Sequence, residues 1–217
     1  MALEHDEVRE KLVQVTLELM DAGGLDLVKA RTVADRSGVS VGTVYNLYGN
    51  VDGLVRAACS RIFTDLNALA LGETARIGRE MAAAIQAGEL ADTQKARMRY
   101  LLLGLSEVYI AFVAANASRW NGLLTFNRRH PVSAAAEDYQ AQQNALIGII
   151  GQCLAGAPFT DAERAVAART LWSAVHGIVT MNYVGQADPR ARAQTWAQIE
   201  MLVGYFVEGI FSDGPRG

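Results

Sequence analysis

Apolar residues return every three or four positions along nearly the whole chain, and no stretch alternates with a period of two. Val8, Leu12, Val15 and Leu19 form a first stripe, and Gly23-Gly24 follows as a helix stop. Val55, Ala58, Ile62, Leu66 and Leu69 repeat the pattern behind a cap at Asn50. Met98, Leu102, Leu105, Tyr109 and Phe112 predict a long apolar helix starting near Thr93. His130-Pro131 breaks the chain, and a helix is expected from about Ser133 to Leu154. Gly156-Ala-Pro158 reads as a loop. Thr160 and Glu163 then have the spacing of a capping box, opening a helix to about Gly185. Asp188-Pro189 opens the last helix. The expected fold is all-α.

The character of the helices changes near residue 65. Before it they are short, with tight Gly and Ser turns; after it they are longer, richer in Ala and more apolar. No flexible linker is visible, so the two parts should share a long helix. The expected division is 5–65, an N-terminal helical domain, and 66–217, a larger helical one.

Arg31 to Asn46, RTVADRSGVSVGTVYN, carries the most specific pattern. Ala34 is small where two helices cross, and Gly38 sits where a sharp turn needs positive φ. Val33, Val39 and Val44 are spaced to pack the second helix on the first, and Ser40 is a good N-cap. These are the mechanical needs of a helix-turn-helix, whose second helix, here Ser40 to Leu47, enters the major groove. An ordinary αα-hairpin is the plainer alternative. Thr43 and Asn46 can hydrogen-bond base edges, the Val41 methyls can meet a thymine methyl, and tyrosine hydroxyls can reach phosphates. For Tyr45 core packing stays equally open.

With Gly24-Leu25, Val33-Ala34, Gly38-Val39-Ser40, Gly42-Thr43, Tyr45, Tyr48 and Leu54 in place, the chain resembles the TetR family of transcriptional regulators. The resemblance is close over residues 5 to 60 and architectural beyond. It implies DNA contacts from Val41, Gly42, Thr43, Tyr45 and Asn46, with Tyr48 near phosphates. Two positions depart from the family pattern: Val51 stands where a Lys is usual, and Lys29 where a Thr or Ser caps. The segment Ser37 to Asn50 carries no charge, and residues 1–60 hold six basic and nine acidic residues. Phosphate neutralisation must therefore lean on Lys29, Arg31, Arg36 and Arg56.

The C-terminal helices are apolar on more than one side. Trp172, His176, Val179 and Tyr183 form one stripe, with Leu171, Val175 and Ile178 along another; Trp196, Ile199, Val203, Phe206 and Ile210 follow on the last helix. Such helices need cover on both faces, and a second copy of the chain is a natural cover. The resemblance implies a homodimer through the last two helices, matched to a palindromic operator. Trp172 to Gly177 also resembles the WHG-type C-terminal domain of some TetR-like regulators. A pocket for a small apolar effector is expected among Met98, Leu102, Tyr109, Phe112, Trp120, Phe126, Trp172 and His176. For His176, a core histidine satisfied by a neighbouring carbonyl is the alternative.

Composition narrows the rest. The 217 residues are 51% hydrophobic and 20% charged, as expected of a soluble globular protein. A net charge of −3 excludes a polybasic binder but not a reader with few contacts. The uncharged stretch Val108 to Ser118 falls short of the ~20 residues a bilayer needs, and the acidic start lacks a signal peptide's features. No membrane partner and a cytoplasmic place are expected. Cys59 and Cys153 share no metal or redox spacing, and no cofactor motif occurs. Gly38-Val-Ser-Val-Gly42 matches a hydrolase elbow, but that motif needs a preceding strand, and Ser40 reads as a cap. The expected function is a ligand-responsive DNA-binding repressor and not an enzyme. The alternative is a helical small-molecule-binding protein with a weakened or lost DNA-binding head.

Overall fold

The computed structural model describes residues 2–130, 137–183 and 189–212. Among these, nine α-helices and one short 3-10 turn, Leu25–Leu27, make up the fold, with no strand. The helices are α1 (Ala2–Gly23), α2 (Ala30–Ser37), α3 (Val41–Tyr48), α4 (Val51–Gln86), α5 (Gln94–Ala115), α6 (Ala117–Arg129), α7 (Glu137–Cys153), α8 (Asp161–Tyr183) and α9 (Pro189–Phe211). The expected helix start at Ser133, helix end at Gly185 and cap at Asp188 lie outside the described residues.

Local capping chemistry sets several of the boundaries. The Asn50 side-chain oxygen accepts the Gly53 N–H at 2.8 Å, one turn into α4. Thr93 accepts the Ala96 N–H at 3.2 Å at the head of α5. Thr160 and Glu163 close the capping box in both directions, Thr160 N–H to the Glu163 carboxylate at 2.7 Å and Glu163 N–H to the Thr160 hydroxyl at 3.2 Å. The apolar pattern sets no helix end between Thr93 and His130. The structure breaks there at Asn116, so the aromatic-rich stretch becomes a separate helix, α6.

Two compact units emerge. The first holds the described residues up to Asp65 together with those of 115–143; the second holds the described residues of 66–114 and those from 144 on. The expected division at 65/66 placed α6 with the C-terminal helices, whereas here α6 packs on α1 in the first unit. Leu12, Met20, Val33, Val44, Leu54 and Trp120 are fully buried there. Asp21 of α1 pairs with Arg119 of α6. Phe63 of α4 meets the rings of Trp120, at 5.8 Å, and Tyr139, at 5.5 Å.

In the second unit α8 and α9 pack along one another, around Val179, Ile199, Val203 and Val207. α5 alone among the described helices is long and apolar enough to cross a membrane by length and composition, with mean hydropathy 1.5. Counting only uninterrupted uncharged residues hides this, because a few charges do not disqualify a span. Half of that apolar window is buried inside the protein, with Met98, Leu102, Tyr109 and Val113 in the core, as befits a core helix.

Two glycines of α4 should respond oppositely to the same change. A Cβ on Gly53 would fall 2.1 Å from the Tyr48 carbonyl oxygen, whereas one on Gly72 would meet nothing within 4 Å. Gly53→Ala should destabilise by about 1–3 kcal/mol through forced backbone movement. Gly72→Ala should stabilise by about 0.5–1 kcal/mol through lower chain entropy in the unfolded state. Thermal unfolding of the two variants checks both signs.

Candidate functional site

Gly38 makes the turn. It ends α2 in the left-handed region at φ 69°, and its N–H reaches the Ala34 and Asp35 carbonyls. The Val39 N–H bonds the Ala34 carbonyl at 3.0 Å. Ser40 then caps α3: its hydroxyl oxygen accepts the Thr43 N–H at 3.1 Å and lies 2.9 Å from the Thr43 hydroxyl. Val33, Ala34 and Val44 are completely buried where the two helices cross. Ser40 follows a helix, not a strand, so the hydrolase-like string forms a cap and no nucleophile elbow.

Val44 alone of α3 is buried. Gly42 and Asn46 are exposed, Val41 and Thr43 half-exposed. Tyr45 is 46% exposed, so the core reading of its ring does not hold. These five residues therefore stand along two turns of helix from which the protein core draws only Val44.

Tyr48 behaves differently from the expectation of a phosphate contact. Its hydroxyl donates to the Arg9 backbone carbonyl at 2.9 Å, and the Arg9 guanidinium lies 5.6 Å from its ring centre. Burial pushes the phenol pKa up, partly offset by Arg9. The hydroxyl proton is thus committed to α1, and Tyr48 fixes the C-terminal end of α3 against α1. Helical spacing carries no trace of this contact, since its partners lie 39 residues apart.

The cations stand as follows. Lys29 is exposed at the start of α2 with no side-chain capping bond. Arg31 lies 3.9 Å from Asp35, both highly exposed, and Arg36 lies 3.7 Å from Glu18. Such exposed pairs hold their partners weakly and release them readily to a phosphate. Arg56 lies over the Phe126 ring at 5.8 Å.

The second unit holds a small, partly open cavity of about 40 Å³, room for about three waters. Leu66 of α4, Leu102 and Tyr109 of α5, Ile150 of α7, Trp172 of α8 and Val203 of α9 stand in its wall. Of the eight expected effector residues, three line this space: Leu102, Tyr109 and Trp172. His176 reaches it through Tyr109, whose hydroxyl lies 2.8 Å from Nδ1. Trp172 stacks on the His176 ring and meets Tyr109 edge-on. The expected carbonyl partner of His176 is thus replaced, at Nδ1, by a tyrosine hydroxyl.

Met98 and Phe112 are buried on α5 outside the cavity wall. Trp120 and Phe126 belong to the first unit, where Trp120 packs on Phe63 and Phe126 lies against His130 and Arg56. An aromatic residue on a helix signals burial, and the helix it faces is decided by long-range packing. Among the described residues no three His, Cys, Asp or Glu side chains gather to hold a metal. Both cysteines are buried, their thiols pushed up to about 12 at Cys59 and about 11 at Cys153, so both stay protonated at neutral pH.

Among the described residues the first unit thus carries a helix-turn-helix and the second a small cavity. Residues 12–58 match the family described as "Bacterial regulatory proteins, tetR family", and residues 102–203 match "Tetracyclin repressor-like, C-terminal domain". The chain belongs to the TetR family. It is 40% identical over 58 residues to the HTH-type transcriptional regulator BetI 1 of Chromohalobacter salexigens, covering 27% of this chain and 29% of that protein. It is 34% identical over 62 residues to the HTH-type transcriptional repressor KstR of Mycobacterium tuberculosis, covering 29% and 28%. The likeness thus spans under a third of either relative's length. The fold is similar to that of a TetR regulator from Rhodococcus, with TM-score 0.62, 16% identity, and 91% and 96% of the two chains covered. It is also similar to Thermus thermophilus FadR, a TetR-family repressor solved with lauroyl-CoA, with TM-score 0.60, 16% identity, and 96% and 98% covered.

Substitutions at two positions, Ser40 and His176, test local chemistry in the two units. Ser40→Ala removes the α3 cap and should lower stability by about 1 kcal/mol, read by thermal unfolding, while Ser40→Asn should restore most of it. For His176, burial lowers the folded pKa below the ordinary 6.5, so the unfolded chain takes up the proton first. Stability from this source is whole above pH 6.5 and falls as pH drops from there through the lowered folded value. His176→Gln should therefore lose less melting temperature between pH 7.5 and 5.5 than the parent protein; equal losses would contradict the assignment.

Proposed function

We propose that the chain is a dimeric repressor that reads a two-fold symmetric operator through α3 and lets go when a small apolar molecule enters the cavity of the second unit. The observation that carries the DNA reading is the outward set on α3: Thr43, Tyr45 and Asn46 remain accessible beside a buried Val44. Asn46 suits an adenine edge and Thr43 either base type, while Val41 offers methyls to thymine. Lys29, Arg31 and Arg36 flank this helix with chemistry suited to phosphates, and Ser40 and Gly42 bring the backbone of the α3 start within reach. Membership of the TetR family supports the same reading.

The dimer is supported by large apolar side chains left open on the last two helices. Val166 and Met181 on α8 are 67% and 88% exposed, and Met201 and Tyr205 on α9 are 64% and 75% exposed. A second copy of the chain would cover them and match a palindromic site. The protein would act in the cytoplasm, with no cofactor. The effector is supported by the cavity. α4 offers the route between the two events, because it begins just after α3 and carries Leu66 and Ala70 into the cavity wall without a break. Release requires that the ligand favour the dimer state with lower operator affinity.

The competing reading, a small-molecule-binding protein with a lost DNA head, draws on the absence of charge from Ser37 to Asn50. Mobility shifts on genomic fragments across a salt series separate the two. We expect fragment-selective binding that weakens with salt by about 0.9 log units per tenfold salt for each phosphate neutralised. Asn46→Ala should reduce discrimination by about 1–3 kcal/mol. Weak, sequence-blind binding at every salt would favour the competing reading.

A further inference from the structure

The polar inventory of the cavity wall is short enough to define what can enter. Of its residues only Ser106, Tyr109 and Trp172 have side chains with a polar atom, and none is charged. Ser106 turns its hydroxyl back on the Leu102 carbonyl at 2.8 Å. Tyr109 is buried and bonded to His176, which is itself largely buried beneath the Trp172 ring. The rest of the wall is aliphatic.

A carboxylate or phosphate drawn into this space would lose its water and find no opposing charge, a penalty that apolar contact does not offset. The imidazole does not supply that charge either, since burial disfavours its protonation. An uncharged oxygen, by contrast, needs only one neutral hydrogen-bonding partner. The Tyr109 hydroxyl supplies it, donating to the oxygen or accepting from it while His176 holds the ring in place.

We infer that the cavity selects an uncharged, apolar molecule with at most one uncharged oxygen, and that the Tyr109–His176 pair receives that oxygen. The inference deepens the effector reading above and rests on it in taking the cavity as the ligand site. The space is small as it stands, so entry must move side chains, and those of Tyr109 and Trp172 border it on adjacent helices.

Matched probes that differ only in charge test it. Calorimetric titration of the full-length protein at pH 7.5 would compare 1-octanol with octanoate, and 2-naphthol with 2-naphthoate. At least one alcohol should bind, and at least about tenfold more tightly than its carboxylate. Tyr109→Phe should weaken that alcohol about fivefold or more. Nitrogen NMR of labelled histidine should show the His176 Nδ1 signal shift on alcohol binding, a change that a merely space-filling Tyr109 would not produce. The inference is overturned if neither alcohol binds, if a carboxylate binds as well as its alcohol, or if the Nδ1 signal stays still. DNA release is measured separately with the same alcohol: selective binding without release leaves the ligand class standing and removes the effector reading.

Discussion

An eight-residue helix that buries one side chain cannot hold itself together in water, because so short a helix does not recover the cost of nucleation. The DNA reading proposed for this protein depends on the ties that hold α3 in place. At its start Ser40 caps the Thr43 N–H, in the middle Val44 locks against Val33 and Ala34, and at its end Tyr48 bonds the Arg9 carbonyl. Gly53 lets α4 begin directly against the Tyr48 carbonyl. Because these ties use the two ends and one interior residue, the remaining side chains stay open to a partner. The sparse core contact of α3 follows from the same division of labour.

The second unit shows the opposite economy. Its helices close on a core of aliphatic side chains while leaving Val166, Met181, Met201 and Tyr205 open outside, and the space left in that core is narrow and lined without charge. Apart from Ser106, whose hydroxyl is spent on the Leu102 carbonyl, polar chemistry beside this space comes from a tyrosine, a histidine and a tryptophan in mutual contact. A buried polar group needs a partner, and Tyr109 and His176 supply one another.

Much of this was readable from sequence wherever the cause was local. Asn50, Thr93 and the Thr160–Glu163 pair act within one turn of their helices, so spacing revealed them. The Gly38 turn and the Val33, Ala34 and Val44 contacts were equally plain, because the helix-turn-helix is built from neighbours. The Tyr48–Arg9 bond is illegible in sequence for the opposite reason: its partners lie 39 residues apart. Trp120 and Phe126 were expected beside the effector, yet α6 packs on α1, and nothing in a helical period says which neighbour an aromatic face will meet. The requirement for a glycine at Gly53 also escaped notice, since the obstacle is a carbonyl brought close only by the tight passage from α3 to α4.

The most direct test of the account is hydroxyl-radical footprinting on a DNA fragment the protein selects. If α3 of each copy reads one half-site, two protected patches related by two-fold symmetry should appear, their centres a whole number of helical turns apart, about 34–36 Å per turn. Asn46→Ala should weaken both patches together at matched protein concentration. A single continuous protection with no symmetry, unchanged by Asn46→Ala, would contradict the claim that the open face of α3 is the reading surface.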